Sequence, residues 1–258
     1  MNTAVGLGYR TDNPCAAVRL PRSQQAGDDM VVLEPKDLDL ILDNLLEHYR
    51  PFIITLVGTG LRFGVATALQ VGDLSLDARP PTIRINKAWK QDGDRQPFID
   101  APKSALSRRT ISLSPDLAEM LRDITTDKNG TDLVFVNVAR RPIRNNTFWA
   151  TNWTPAITKA QNPVDADGLP DPDARRLMKR PRIHDLRHTH ASWKLAEGMD
   201  MFTLSRRLGH ETSATTDSRC SHLMPAQHLQ AAEVATAAMG RLRPRPSPRG
   251  EVATPSAF

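Results

Sequence analysis

The sequence has few cysteines and no long hydrophobic run. Only two of its 258 residues are cysteine, Cys15 and Cys220, and they lie far apart in the chain. Two distant thiols argue against a disulfide framework and fit a reducing compartment. The longest apolar run, around Phe52 to Val57, is too short to span a bilayer, and the N-terminus lacks the basic-then-apolar pattern of a secretion signal. These absences favour a soluble protein of the cell interior that has no membrane partner.

The chain also lacks a strong excess of charge of either sign. Lys and Arg total 34 and Asp and Glu total 29, which gives a formal net charge of +5. This excess permits a nucleic-acid partner without demonstrating one, because surplus arginines also serve solubility. With 40% hydrophobic and 24% charged residues, the composition is that of an ordinary globular protein. The length suits one large domain or two small ones, and we find no internal repeat.

Prolines and polar residues divide the chain into three parts. Residues 1–28 contain Pro14, Pro21 and a polar stretch, so we interpret them as a linker. Residues 29–240 carry the periodic hydrophobic patterns of a folded domain. Residues 241–258 interleave arginine with proline and are interpreted as a disordered basic tail.

Hydrophobic spacing within residues 29–240 predicts an α+β fold, mainly helical with a small antiparallel sheet. Helices are predicted over 36–49, 63–70, 117–124, from 183, in a short segment ending at Gly209-His210, and over 225–239. Strands are predicted over 81–89, 96–100 and 108–113, and the rest is expected to be mostly helical apart from 133–136. Residues 161–182 carry several prolines and aspartates with little periodicity, so we expect a long loop there. Lys103 lies in a turn-like sequence between two predicted strands.

Arginine, lysine and histidine residues in separate segments are candidates for phosphate chemistry. Arg62 and Arg187 can each donate paired hydrogen bonds to the oxygens of one phosphate. Lys103 can protonate a departing alkoxide, and His184 and His210 can exchange a proton near neutral pH. Each of these residues also has a plain structural explanation, such as a surface charge, a solvated turn or a helix cap.

A metal site is the second interpretation of the histidines. His184 and His188 are four residues apart with Asp185 beside them, which is a ligand-like spacing. The sequence has no HExxH motif and no obvious third ligand, so we expect no metal. The tryptophans are interpreted as core residues rather than as platforms for stacked bases. They are Trp89, Trp149, Trp153 and Trp193.

Four short motifs follow one another along the chain. They are Thr59–Gly64, then Pro102–Ser104 just before Ser107–Leu113, then Ile183–Thr189, then Arg207–Glu211. Each is weak alone. In this order, with a lysine between the two arginine motifs, they resemble the catalytic domain of tyrosine recombinases, the phage-integrase family of site-specific DNA recombinases. The resemblance covers most of residues 31–239.

The resemblance implies roles for the five candidate residues in a transesterification on DNA. Arg62 and Arg187 would clamp the scissile phosphate, and Lys103 would protonate the leaving 5′ oxygen. His184 and His210 would handle protons and bind the phosphate. In this family a tyrosine attacks the phosphate and forms a 3′-phosphotyrosyl link, and no metal, ATP or other cofactor takes part.

The resemblance also implies partners and a location. The partner is double-stranded DNA, in the cytoplasm and associated with the nucleoid. We expect a homo-oligomer on DNA through the C-terminal helix 225–239. Residues 1–28 would be the remnant or linker of a missing N-terminal core-binding domain, and 29–240 the catalytic domain. Without that domain we expect weak DNA binding with a shallow salt dependence.

The sequence departs from the family pattern at the nucleophile. The family's tyrosine lies ten residues after the histidine of Leu-Gly-His, where this chain has Cys220. The two tyrosines of the chain, Tyr9 and Tyr49, lie toward its other end. A phenol oxygen reaches roughly 3.5 Å further than a cysteine sulfur, whereas attack needs the reacting atoms within about 3.5 Å. We therefore expect covalent strand cleavage to be absent or weak.

A second departure is Val65. The family usually has an acidic residue there, one helical turn after the first arginine, which supports that arginine. Two hypotheses follow for the function. The first is a recombinase or integrase that is impaired because Cys220 replaces the tyrosine. The second is a non-catalytic DNA-binding partner or a degenerate remnant of a mobile element.

Overall fold

The computed structural model describes residues 2–16, 30–91, 96–100 and 108–209. The described residues fall into two compact units, one within residues 1–30 and the other beginning at residue 31. The first unit contains one short helix, α1 (Asn2–Gly6). All the other elements belong to the second unit. The predicted turn at Lys103, the predicted helix 225–239 and the basic tail lie outside the described residues.

Helices dominate the regular structure of the second unit. They are α2 (Pro35–Asn44), α3 (Arg50–Thr59), α4 (Phe63–Ala66), α5 (Pro115–Asp123), α6 (Asn145–Phe148), a π-helical turn (Trp149–Trp153), α7 (Thr154–Gln161), α8 (Asp185–Ala196) and α9 (Met201–Leu208). Short 3-10 turns cover Glu47–Tyr49 and Val71–Asp73. Local signals begin several of the helices. Ser114, for example, caps α5 by accepting a hydrogen bond from the Leu117 amide at 3.4 Å, and Pro115 takes the first helical position.

The strands form two small antiparallel sheets. The strands β1 (Leu74–Ser75), β2 (Thr82–Ile85) and β5 (Arg109–Ser112) make one sheet in the order β1-β2-β5, and β3 (Ala88–Gln91) pairs with β4 (Pro97–Asp100) in the other. Ile83 faces Ile111 across β2 and β5, and both side chains are buried. The alternation that predicted these strands therefore places the expected face on the core.

The core surrounds α3. Phe52 on this helix contacts the rings of Phe63, Phe135 and Phe148, with ring centroids between 5.3 and 5.6 Å apart. A second, smaller cluster packs α8 against α9 and includes Leu195, Leu204 and Leu208. Helix α8 links the two clusters, because its Leu186 belongs to the larger core and its Leu195 to the smaller one.

The predicted α+β class is confirmed, and so is the long loop, since α7 ends at Gln161 and α8 begins at Asp185. Two element predictions are wrong. Residues 81–89 form two strands in different sheets, because Lys87 leaves the ladder to bind Asp73 at 3.0 Å. The helix predicted over 63–70 stops at Ala66. The segment 133–136, which is not predicted to be helical, forms isolated bridges at its two ends.

The tryptophans differ in how deeply they are buried. Trp153 is buried, and its indole donates to the carbonyl of Pro181 at 3.0 Å, so it is a core residue as predicted. Trp193 is partly buried and donates to Leu33. Trp149 is 49% exposed, which corrects the prediction that it is a core residue. No helix in the described part of the chain is both long enough and apolar enough to cross a membrane.

Candidate functional site

A buried carboxylate sets the start of α8, the helix that carries Arg187, His188 and His190. Asp185 is fully buried and accepts a hydrogen bond from the backbone amide of Arg182 at 2.8 Å. The Arg182 side chain reaches the same carboxylate at 3.2 Å. A buried carboxylate needs hydrogen-bond donors, and Arg182 supplies them from its backbone and its side chain. These bonds hold the end of the long loop against the start of α8.

Arg187 connects the ends of two helices from inside the protein. The residue is 4% exposed. Its Nη1 donates to the carbonyl of Gly60 at 2.7 Å, and its Nη2 donates to the carbonyl of Leu208 at 2.8 Å. Gly60 ends α3 and Leu208 is the last residue of α9, so one guanidinium holds the two C-terminal ends together. Positive groups are favourable at such ends, where helical carbonyls lack partners.

Glycine is required where these helices end. Gly60 has φ of 67°, and a Cβ there would lie 2.6 Å from Cδ2 of His190 and 2.7 Å from Cδ2 of Leu208. The close approach of α3 to α8 and α9 therefore depends on the missing side chain. Arg62 follows two residues later, is exposed, and begins α4 in an extended conformation.

Arg109 lies in a positive environment. Its pKa falls to about 10, first because burial removes solvation and then because Arg62 and Arg207 add positive charge. Arg62, Arg109 and Arg207 are thus electrostatically coupled, although they come from the α3–α4 turn, β5 and α9. Each remains protonated at neutral pH. We call these three residues and Arg187 the arginine cluster.

Arg109 and Arg207 connect β5 to α9 by two hydrogen bonds, one donated from each element. Nε of Arg109 donates to the carbonyl of Arg207 at 2.6 Å, and Nη1 of Arg207 donates to the carbonyl of Ser112 at 3.1 Å. Nε of Arg207 also donates to Nε2 of His190 at 3.2 Å. The first and last residues of β5 therefore both bind the same residue of α9.

His190 is neutral, and its partners determine its tautomer. Its Nδ1 lies 2.8 Å from the carbonyl of Val57, which only accepts, so Nδ1 carries the proton and Nε2 accepts from Arg207. Burial lowers the pKa of His190 to about 3, and the charge of Arg207 contributes to this lowering. His190 is 1% exposed. It is a buried link between α3, α8 and α9.

His184 and His188 lie against each other at the start of α8. Their ring centroids are 5.0 Å apart, with the rings nearly perpendicular. His184 is exposed and His188 is partly buried. Among the residues that the structure describes, no group of three or more His, Cys, Asp or Glu is placed to hold a metal ion.

The predicted site residues divide into two sets. Arg62, His184 and Arg187 lie in the described residues, and Arg187 binds the turn that leads to Arg62. Lys103, His210 and Cys220 lie outside the described residues. Val65, where the family usually has an acidic residue, packs partly buried against the hydrophobic core.

Sequence reasoning missed Arg109, His190 and Arg207. Arg109 and Arg207 lie inside the recognised motifs, but the motifs alone give them no role. His190 lies three residues after Arg187, and this spacing on a helix places both on one face. That spacing is the signal that could have found His190. The contact between β5 and α9 has no such local signal.

The fold is that of tyrosine-recombinase catalytic domains. The Tn1549 transposon integrase bound to transposon right end DNA matches with a TM-score of 0.63 at 20% identity, covering 94% of this chain and 75% of that one. The crystal structure of XerA recombinase matches with a TM-score of 0.54 at 17% identity, covering 83% of this chain and 66% of that one.

The chain belongs to the phage integrase family, whose model matches residues 31–226. The integrase of Mycobacterium phage D29 is 27% identical over 216 residues, which cover 82% of this chain and 52% of the phage protein. The ICEBs1 integrase of Bacillus subtilis is 26% identical over 238 residues, covering 90% of this chain and 61% of that protein. The chain spans about half the length of the phage integrases that it matches.

Proposed function

We propose that this chain binds double-stranded DNA at the arginine cluster, and that its covalent strand cleavage is impaired because Cys220 occupies the nucleophile position. The observation that carries the proposal is the convergence of arginines from distant segments. Arg109 of β5 donates to the carbonyl of Arg207 of α9. Arg187 of α8 donates to the carbonyl of Gly60, two residues before Arg62. Family membership and the Tn1549 integrase, whose structure contains transposon end DNA, support the same assignment.

Electrostatics favour an anion at the cluster. Bringing like charges together is unfavourable, and the charges of Arg62 and Arg207 add to the effect of burial, which is the main cause of the lowered pKa of Arg109. A phosphate group relieves the repulsion, because guanidinium groups donate paired hydrogen bonds to phosphate oxygens and neutralise its charge. Phosphates along a DNA backbone are therefore the ligands that this site suits best.

The chemistry proposed for the site follows from the family. A tyrosine oxygen attacks the phosphorus, the bond to the 5′ oxygen breaks, and that oxygen takes up a proton. The phosphodiester energy is retained in the 3′-phosphotyrosyl bond. Arg62 and Arg187 would hold the phosphate, Lys103 would supply the proton, and His184 and His210 would assist. A cysteine side chain is shorter than that of tyrosine, so with Cys220 at this position we expect attack on phosphorus to be inefficient.

DNA binding is tested by titrating a fluorescent duplex with the chain at several salt concentrations. The variants are Arg62→Gln and Arg109→Gln, and the control is Arg122→Gln, an exposed arginine on α5 that pairs with Asp77. Each cluster variant should weaken binding and reduce the slope of log K against log salt by about 0.9, whereas the control should match wild type. Equal binding by all four proteins would overturn the cluster as the DNA site.

The covalent step is tested on a denaturing gel with nicked duplexes that carry the ends of the element. Cys220→Tyr is compared with wild type and with Cys15→Tyr, which adds a tyrosine at the exposed cysteine of the first unit. An adduct with Cys220→Tyr alone supports the proposal. An adduct with wild type would overturn the proposed impairment. DNA binding without an adduct from any variant would favour the second hypothesis, a non-catalytic DNA-binding partner.

We also propose the domain division 1–28, 29–240 and 241–258, with the second part as the catalytic domain. The family match over residues 31–226 supports the extent of that part. The helix predicted over 225–239 is proposed as the contact between copies on DNA, where the protein would associate with the nucleoid. Deleting residues 225–258 should leave single-site binding intact and abolish higher complexes in a gel-shift experiment. Retention of those complexes would contradict the proposed contact.

A further inference from the structure

Arg109 is placed to do more than add charge to the cluster. It is the first residue of β5 and lies opposite Ile85 in the sheet. Its Nε donates to the carbonyl of Arg207 at 2.6 Å, across 98 residues of sequence. That carbonyl belongs to the last turn of α9, where helical carbonyls lack partners within the helix.

The guanidinium of Arg109 also packs on the residue that ends α9. Gly209 has φ of 69°, and a Cβ there would lie 2.5 Å from Nη1 and 2.9 Å from Cζ of Arg109. The guanidinium therefore occupies the space that a side chain at position 209 would need. Arg109 holds this end of the helix by a hydrogen bond and by direct packing.

Arg187 holds the neighbouring carbonyl of the same helix end. It donates to Leu208 at 2.8 Å while donating to Gly60 at 2.7 Å, two residues before Arg62. Consecutive carbonyls of α9, those of Arg207 and Leu208, thus bind two different arginines. One arginine comes from the sheet and the other from α8. The end of α9 is fixed from both sides.

We propose that Arg109 is a positioning residue of the phosphate site. It fixes the C-terminal end of α9 against β5, and so sets the geometry in which Arg62 and Arg187 meet a DNA phosphate. This inference rests on the proposed function for its chemical consequence. The anchoring of Arg207 and Gly209 by Arg109 does not depend on that function, because it follows from the contacts described above. His210, the next candidate residue, follows Gly209 directly in the sequence.

The test compares Arg109→Lys with Arg108→Lys. Lysine keeps the positive charge but loses Nε and the planar group that packs on Gly209. Arg108 is the exposed neighbour of Arg109, so the control makes the same chemical change one residue away. The thermal midpoint of both variants is measured first, and the other experiments are done well below the lower value.

Hydrogen exchange measures the anchoring without reference to DNA. The amide of Gly209 donates to the carbonyls of Ser205 and Arg206, and the amide of Leu204, bonded to Asp200, serves as the internal reference. In Arg109→Lys the exchange of Gly209 relative to Leu204 should rise at least tenfold, and in Arg108→Lys less than twofold. An unchanged ratio in Arg109→Lys would overturn the proposal.

The rate of covalent adduct formation measures whether the anchoring of α9 affects the phosphate site. In the Cys220→Tyr background, Arg109→Lys should lower the first-order rate of adduct formation at saturating DNA at least tenfold, while the dissociation constant changes less than threefold. Arg108→Lys should leave both unchanged. Faster exchange at Gly209 with an unchanged rate would overturn the positioning role, because the helix end would then be irrelevant to the site.

The two proposals fail in different ways. If the Cys220→Tyr chain with Arg109 intact forms no adduct, the proposed restoration of cleavage fails. The exchange ratio at Gly209 then decides by itself whether Arg109 anchors α9. If that chain forms an adduct and Arg109→Lys behaves like it in both measurements, the proposed function stands and the positioning role is overturned.

Discussion

Buried charges are held in opposite ways in two regions of the molecule. At the N-terminus of α2, Asp37 is a buried carboxylate that accepts from Lys179 at 2.8 Å and lies 3.8 Å from Arg175. In the arginine cluster, the hydrogen bonds of Arg109, Arg187 and Arg207 include backbone carbonyls and a neutral histidine. Lys179 neutralises the charge of Asp37. The carbonyl and histidine partners in the cluster are neutral, although burial, which lowers the pKa of Arg207, is partly opposed there by the charge of Glu197.

The pKa directions show the same contrast. Burial alone would raise the pKa of Asp37, but the hydrogen bond from Lys179 and the backbone bond to Glu34 lower it below its usual value. For Arg109, burial and then the charges of Arg62 and Arg207 act in the same direction and lower the pKa. The first region is an internal link that secures the long loop to α2. The second brings several arginines from distant segments close together, and it is the region that we propose binds a DNA phosphate.

The largest effect is expected from Arg187→Ala. This change removes two buried hydrogen bonds, leaves the carbonyls of Gly60 and Leu208 without these donors, and opens a cavity, so it should lower the free energy of unfolding by about 3 kcal/mol or more. DNA binding should fall with it. Urea unfolding and the duplex titration measure the two losses. A stability loss below about 1 kcal/mol would mean that α3 and α9 do not depend on this residue.

Acid should weaken the arginine cluster before it weakens the Asp37 link. The pKa of His190 is lowered to about 3, so between that value and its usual value near 6.5 the unfolded chain binds a proton that the folded chain does not. Stability therefore falls as the pH drops through this window. The loss from His190 should reach about 2 kcal/mol at pH 5. The lowered pKa of Asp37 affects stability only at lower pH, below the usual carboxyl value.

Unfolding measured from pH 8 to pH 4 checks this prediction. His190→Gln removes the titrating group and should flatten the curve between pH 6.5 and pH 5. Asp37→Asn should not change the slope in that range. Equal slopes for wild type and His190→Gln would show that His190 does not control the acid response.

A smaller effect is expected from Asp37→Asn, in the region where Lys179 neutralises the buried carboxylate. Asp37→Asn keeps the shape of the side chain but removes its charge, so it loses the ion pair with Lys179 and weakens the start of α2. The free energy of unfolding should fall by about 1 kcal/mol. DNA affinity should stay within twofold of wild type. A tenfold change in affinity would break the distinction between the two regions.

The smallest effect is expected from an exposed arginine beside a second buried carboxylate. Arg84 on β2 lies 4.0 Å from Asp73 and its side chain is 63% exposed, while Lys87 binds the same carboxylate at 3.0 Å. Arg84→Gln should change the free energy of unfolding by less than about 0.5 kcal/mol, whereas Lys87→Gln should cost more. Thermal unfolding of both variants makes the comparison. A larger loss for Arg84→Gln would reverse it.

Sequence patterns predicted the features that depend on near neighbours. The alternation of Ile83, Ile85 and Ile111 identified the buried face of β2 and β5, and the lack of periodicity after Gln161 identified the long loop. The error at residues 81–89 has a tertiary cause. Lys87 binds Asp73, which lies in a different turn, and local alternation carries no information about that contact.

The site was predicted only in part. Arg62, His184 and Arg187 were singled out by residue type and by the family resemblance, and their roles stay predictions. Arg109 and Arg207 were missed because their importance comes from contacts between β5 and α9, separated by about a hundred residues of chain. A side chain that acts by holding a distant carbonyl has no local signature.

The amino-acid sequence by itself determined the fold class and the order of the motifs. These depend on residue type and short spacing, which a chain carries whether or not it is folded. The tertiary structure alone decided which arginines meet, that His190 is neutral, and that Arg109 holds the end of α9. Those properties depend on burial and on distances between remote segments, and only the packing of α3, α8, α9 and β5 around one another sets them.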